Sequence, residues 1–346
     1  MRGRSSTDAP GPPASRDPLP EPAALPDIED ADDVEMVEVA GLAAPVLRTA
    51  TIPPELGGTR IDQALARLFP EFSRSRLKTW LDIGRITIDG RPSEPAAKAR
   101  GGEAVTLDAE PNPAEVAFVP EPMDLAIVHE DDALIVIDKP AGLVVHPAAG
   151  NWRGTLLNGL LAHEPALVAV PRAGIVHRLD KDTTGLMVVA KTLAAQTDLI
   201  RQLQVRTVRR EYLALVHGAV EGDGKIDAPI GRHPRERTLM AVVDNGKPAV
   251  THVVILERFE TCTLLRCRLE TGRTHQIRVH LTHIGHPLVG DPTYRGRVGQ
   301  HGPLAFERQA LHAERLGLKH PVTAKAMSWT ARPPDDFAAL LDALRA

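Results

Sequence analysis

The stretch GIVHRLDKDTTGLMVVAK, residues 174–191, sets two short apolar runs around a charged knot of His177, Arg178, Asp180, Lys181 and Asp182. A carboxylate held between cations stays ionised, and it can then serve as a nucleophile or a base. Asp180 lies between two strand-like runs, which places it on a loop or strand end, where a scaffold can display a reactive group. Asp180 and Asp182 point oppositely in an extended segment, so they form no obvious acid/base pair. An Asp-rich turn closed by a structural salt bridge would account for the same residues. His177 with the two aspartates imitates a metal site, but Arg178 and Lys181 are unfavourable beside a dication, and no metal is expected. The chain has no HExxH pair, no GxSxG elbow and no glycine-rich phosphate loop between a strand and a helix.

Two further stretches carry candidate chemistry. VRTVRREYLALV places Arg206, Arg209 and Arg210 just ahead of Tyr212, although a strand with one half-buried tyrosine reads the same way. LETGRTHQIRVHLTHIGHPLVGD gathers Arg273, His275, Arg278, His280 and His283. At helical spacing His275, Arg278 and Thr282 share a side, while Ile277, Leu281 and Ile284 form an apolar stripe. A surface helix facing solvent fits that pattern equally well.

The elements that must position these residues follow from composition and periodicity. Residues 1–50 are acidic and rich in proline, with few large apolar groups to offset ordering entropy, and are expected to be a disordered tail. Residues 57–108 form a compact unit. RIDQALARLF spaces Ile61, Leu65, Leu68 and Phe69 as one helix face, and SRSRLKTWLDIG opens on a serine cap, carries Leu77, Trp80 and Leu81 on one side and stops near Gly84. RITIDG reads as a strand entering an Asp89-Gly90 turn. Arg74, Arg76, Lys78, Arg85, Arg91, Lys98 and Arg100 collect in this unit, as a charged solvated face or an RNA-binding one. Residues 109–124 hold four prolines and read as a linker. From 125 to 346 the pattern is rich in strands: LAIVHEDDALIVIDKP as two around an acidic turn, then GLMVVAK, REYLALVHG, THVVILERF and TLLRCRLE. The helix LAAQTDLIRQLQ, with apolar positions Leu193, Leu199 and Leu203, interrupts them, and DDFAALLDALR closes the chain. In TLLRCRLE, Leu265, Cys267 and Leu269 share a face, so Cys267 reads as core. The fold class expected is α+β, a mixed and largely antiparallel sheet with flanking helices behind a small α/β unit.

Charge and cysteine usage narrow the classes. Net charge is −4, but residues 1–50 hold four bases and ten acids, leaving 37 bases and 35 acids in the other 296 residues. Any nucleic-acid footprint must therefore be a local patch. No apolar run approaches the ~20 residues of a membrane span. The N-terminus lacks an apolar signal region, and the two cysteines, Cys262 and Cys267, have neither disulfide-framework nor metal spacing, which together point to a cytoplasmic protein.

The segment TRIDQALARLFPEFSRSRLKTWLDIGRITIDGRP with the later GGEAVTL resembles the small αL RNA-binding module named for a small-subunit ribosomal protein, in which two helices and a hairpin present a basic face to structured RNA. HRLDKDTTGLMVVAK, RREYLALV and GRTHQIRVHL, with DKPAGLVVHPAAG and LHAERLGLKHP, closely resemble the motifs of the RluA/RluD family of pseudouridine synthases. The likeness spans about residues 55–346, and the αL module narrows it to the RluC/RluD-type branch.

The resemblance implies isomerisation of uridine in RNA to pseudouridine, without a cofactor. It implies that Asp180 is the catalytic carboxylate, that Arg278 pairs with it, that Tyr212 stacks on the target base, that Ile277 packs against the site and that Arg178 enters the RNA stack beside the displaced base. Arg74, Arg76, Lys78 and Arg85 become RNA-binding candidates. The expected partner is large-subunit ribosomal RNA or a pre-ribosomal particle, met by a monomer with no membrane association. The helix 69 stem-loop is the expected target. A relative acting on other ribosomal or transfer RNA uridines and a non-catalytic ribosome-assembly factor are the alternatives.

Overall fold

The computed structural model describes residues 46–109, 117–148, 150–295 and 306–346. The expected tail lies outside the described residues as far as residue 45. Its last five positions do not belong to it: Val46–Thr51 is a strand, β1, and opens the N-terminal unit. Helices Ile61–Leu68 (α1) and Arg74–Asp82 (α2) follow, then strands Ile86–Ile88 (β2) and Ala104–Ala109 (β3). β3 lies between β1 and β2 in a three-stranded antiparallel sheet. Ile61, Leu65, Phe69, Leu77, Trp80 and Leu81 bury against Ile86, Val105 and Leu107. The Ser73 hydroxyl caps α2 by accepting the Arg76 amide at 3.3 Å, and Gly84, at φ 78°, ends it where a side chain would be strained. Asp89 and Gly90 both have positive φ, as the turn read from sequence requires.

The unit thus begins at residue 46 rather than 57. Deleting residues 1–45 is expected to leave turnover within about twofold, because the composition gives that segment little with which to pack. Deleting through Thr51 removes six residues that pair with β3 and should lower the melting temperature. Equal melting curves for the two truncations would show that β1 contributes nothing.

The C-terminal domain is built on one large sheet. Its strands are Ile127–Glu130 (β4), Leu134–Lys139 (β5), Thr184–Ala190 (β6), Arg209–His217 (β7), Gly224–Asp227 (β8), Val250–Arg258, Cys262–Leu269, Leu311–Lys319 and Ala326–Thr330. Between β8 and Val250, Ile230–Arg232 (β9) and Met240–Val242 (β10) form a separate ribbon, so the last four are β11, β12, β13 and β14. The sheet order is β4-β5-β6-β13-β7-β12-β11-β8, with β14 on β13. β13 runs parallel to β6, and the other pairings of this sheet are antiparallel. The α+β expectation therefore holds. Helices Leu156–His163 (α3), Leu193–Gln204 (α4), Gln276–His283 (α5) and Asp335–Arg345 (α6) cover the sheet. No described helix is long and apolar enough to cross a membrane.

β6 is buried along its whole length and feeds a core on each face: Met187 and Val189 on one side, Leu186 and Val188 on the other. Cys267 sits in the first of these cores as expected, and burial pushes its thiol up to about 12. Three details differ from the sequence reading. Leu193, expected on the apolar side of α4, is exposed, because the helix packs through Leu199, Ile200 and Leu203. Ile284 falls past the end of α5 and is exposed. The supposed linker is fastened at its C-terminal end, where the Asn158 amide of α3 donates to the Ala117 and Val119 carbonyls at 2.9 and 2.8 Å. Residues 110–116 lie outside the described residues.

Candidate active site

Asp180 sits on the loop that leads into β6, as its position between apolar runs implied. That loop is pinned from two sides. The Lys139 side chain at the end of β5 is fully buried, and its ammonium donates to the Pro140, Leu143 and Lys181 carbonyls at 2.7, 2.9 and 2.8 Å. Three donors meet three acceptors, which requires the protonated form. Burial pushes its pKa down to about 8 against the fields of Asp182 and Asp180. Arg308 donates to the Asp182 carbonyl at 3.1 Å while its fork grips Asp336 at the start of α6.

Lys139→Met keeps the apolar stem but leaves three carbonyls without their donor. It is expected to lower the unfolding free energy by about 2–4 kcal/mol. Turnover should fall at least about tenfold, since one lost bond lies next to Asp180. Urea unfolding and single-turnover rates check this, and an unchanged urea midpoint would refute it.

The third stretch supplies the partner of Asp180. Thr271 and Arg273 donate to the Gln276 side-chain oxygen at 2.7 and 3.0 Å, while the Gln276 amide group reaches the Val250 carbonyl on β11 at 3.0 Å. This fixes the start of α5. His275, just before it, is held at φ 56°, a left-handed conformation unusual for a residue with a side chain. α5 is not the solvent-facing helix that its histidines permitted: Gln276 through Leu281 are all buried. Arg278 donates from one guanidinium nitrogen to Asp180 at 2.9 Å. Its other edge makes a two-point fork to Asp291 at 2.7 and 2.8 Å. Burial disfavours the arginine's charge, but its hydrogen bond to Asp291 and the fields of Asp180 and Asp291 raise its pKa above the ordinary value.

Asp291 is the residue that motif reading missed, although it ends the quoted segment. Its side chain is wholly buried. It also accepts the Thr293 and Tyr294 amides at 2.8 and 2.9 Å. Burial would raise its pKa, yet Arg278 and those amides hold it below the usual carboxylate value. Tyr294 supports the same arginine: its ring lies under the Arg278 guanidinium at 4.9 Å, and its hydroxyl meets His275 Nδ1 at 2.7 Å.

Tyr212, on β7, and Ile277, on α5, are buried and line the same pocket as Asp180 and Arg278. Burial raises the tyrosine's pKa, so it is a neutral hydroxyl at physiological pH. Arg178 is exposed at the pocket's edge. The site thus brings together all five residues named for it from the three motifs. The four basic candidates of the N-terminal unit are placed otherwise. Arg74 is exposed and pairs with the buried Asp62 at 2.8 Å, Arg76 stacks on Trp80 at 4.6 Å, Arg85 meets Asp108 at 3.1 Å, and Lys78 is exposed one turn after Arg74.

Residues 133–283, which include Asp180, Tyr212 and Arg278, match the RNA pseudouridylate synthase family. The chain is 57% identical over 300 residues to the ribosomal large subunit pseudouridine synthase D of Nitrosomonas europaea, an alignment covering 85% of this chain and 87% of that protein. Its identity to the protein of the same name from Pseudomonas aeruginosa is 55% over 310 residues, covering 87% and 96%. Among solved structures, human RNA pseudouridylate synthase domain containing 4 is 25% identical with a TM-score of 0.50, covering 64% of this chain and 93% of that one. With more than half of the aligned residues identical across most of both chains, the chain belongs to the RluA/RluD family of RNA pseudouridine synthases, enzymes that isomerise uridine in RNA.

Proposed function

We propose that this enzyme converts uridines of large-subunit ribosomal RNA, in the helix 69 stem-loop, to pseudouridine, with Asp180 as its catalytic carboxylate. The observation that carries this reading is the Asp180–Arg278 pair at 2.9 Å inside a pocket walled by Tyr212 and Ile277. The names of the relatives support the choice of RNA.

The reaction breaks the C1′–N1 bond of uridine, turns the uracil and joins its C5 to C1′. C5 loses a proton and N1 gains one, so nothing is oxidised or reduced and no cofactor is needed. Asp180 acts as an anion, and Arg278 keeps it one. Tyr212 stacks on the base, and Ile277 closes the apolar side. Arg178, exposed at the rim, takes the place of the displaced base in the RNA stack, offsetting an unstacking cost of a few kcal/mol. Loop uridines suit this step, because an unpaired base is cheaper to displace. Arg74, Arg76, Lys78 and Arg85 supply phosphate contacts from the N-terminal unit, on free ribosomal RNA or a pre-ribosomal particle, with the enzyme acting as a monomer.

Mapping pseudouridines in RNA with and without this gene tests the target. The expected result is loss of the helix 69 marks on deletion and their return with the wild-type gene. Full modification of helix 69 in the deletion strain, with a mark lost elsewhere, would overturn the target and leave the synthase activity standing.

A further inference from the structure

Arg210 is the unexplained charge in the pocket. β7 presents it on the same face as Tyr212, two residues on, and it lines the cavity that holds Asp180 and Arg278. It is only 6% exposed. Its neighbour Arg209 pairs with Glu211 at 2.6 Å, and Arg278 has two carboxylates. Among the described residues no carboxylate pairs with Arg210, and its Nε is buried without a hydrogen-bond partner. A cation in that state is costly unless an anion joins it. The guanidinium is also seated against bare backbone: a Cβ at Gly272 would stand 2.8 Å from one of its terminal nitrogens. The site is thus shaped around a donor whose acceptor arrives with the substrate.

On the reading of Asp180 and Tyr212 given above, the group that enters this pocket is the uracil. When the C1′–N1 bond breaks, its electron pair stays on the base, and N1, O2 and O4 share the negative charge. Phosphates remain at the rim, where Arg178 is exposed. We infer that Arg210 is a further catalytic residue, whose guanidinium donates to a carbonyl oxygen of the target uracil and stabilises the charge that the departing base acquires. A preorganised donor aimed at developing charge lowers the barrier without having to tighten ground-state binding.

The test is single-turnover kinetics on a stem-loop transcript that the wild-type enzyme converts, with Arg210→Ala, Arg210→Lys and Gly272→Ala compared with wild type. Arg210→Ala is expected to slow the chemical step by about 100-fold or more, the usual effect of removing one such donor. The RNA dissociation constant and its salt dependence should stay unchanged. Arg210→Lys should recover part of the rate, and guanidinium chloride at fixed ionic strength should partly rescue Arg210→Ala. Gly272→Ala, which keeps every charge but displaces the guanidinium, should slow the same step less, and with Arg210→Lys it carries the test if Arg210→Ala fails to fold. An unchanged rate in these variants would overturn the inference. So would weaker binding with a shallower salt slope at unchanged rate, the mark of a phosphate contact. Asp180→Asn, run alongside, separates the two readings: activity there with a slow Arg210→Ala removes Asp180 and keeps Arg210, and the reverse removes Arg210 alone.

Discussion

Asp180→Asn is expected to lower the isomerisation rate by at least about a thousandfold, or roughly 4 kcal/mol in the barrier. The amide matches the carboxylate in size, and its oxygen can still accept from Arg278, which donates to Asp180 at 2.9 Å in the wild type. Asp291 continues to neutralise that arginine through its two-point fork. The pocket should therefore persist while the anion and its basicity are removed. RNA affinity is a separate quantity, carried mainly by phosphate contacts, and should move by less than about threefold. Nucleoside analysis of the product RNA gives the rate, and filter binding gives the affinity. A variant within tenfold of wild type would show that another group performs the chemistry.

The parts of this site that sequence revealed are those whose chemistry is local. Asp180 stood between two strand-like runs, so its loop position followed from pattern alone, and Tyr212 opened a short apolar run that reads as a strand and is buried as one. The link between them was not local. Arg278 donates to a carboxylate 98 positions away, and nothing in the 3.6-residue period of α5 says which of its polar groups turns inward. That period even permitted a solvated helix, whereas Gln276 and His280 are buried because they bond to β11 and to the Ala228 carbonyl. Family likeness supplied the pairing, and the structure supplied its cause in Asp291. Lys139 escaped for a similar reason. A lysine ending an apolar strand reads as a charge leaving the core, but here three carbonyls from two segments gather around it. β1 was missed because it begins inside an acidic, proline-rich composition and earns strand status only by pairing with β3.

Removing Arg278 should damage stability and catalysis together. Arg278→Ala leaves Asp291, whose side chain is wholly buried, with only the Thr293 and Tyr294 amides to support its charge. Breaking a buried pair in this way costs about 3–5 kcal/mol, and activity should be lost with the partner of Asp180. Arg278→Lys should rescue little, since an ammonium cannot hold two carboxylates with a planar fork and a third nitrogen. The pH dependence follows from Asp291. Its folded pKa lies below the ordinary carboxylate value. The wild type therefore gains stability from this ionisation above an unfolded pKa of about 3.9, and loses it as pH falls through the lower folded value. In Arg278→Ala burial acts on Asp291 without the opposing arginine, so its pKa rises and acid relieves the unpaired charge. The stability gap between wild type and variant should thus be widest near neutrality and narrow as pH falls toward 4. Urea unfolding from pH 8 to pH 4 measures that gap. A gap that widens in acid would mean that Arg278 is not supporting an ionised Asp291, and the electrostatic account of how the Asp180 partner is held would fail with it.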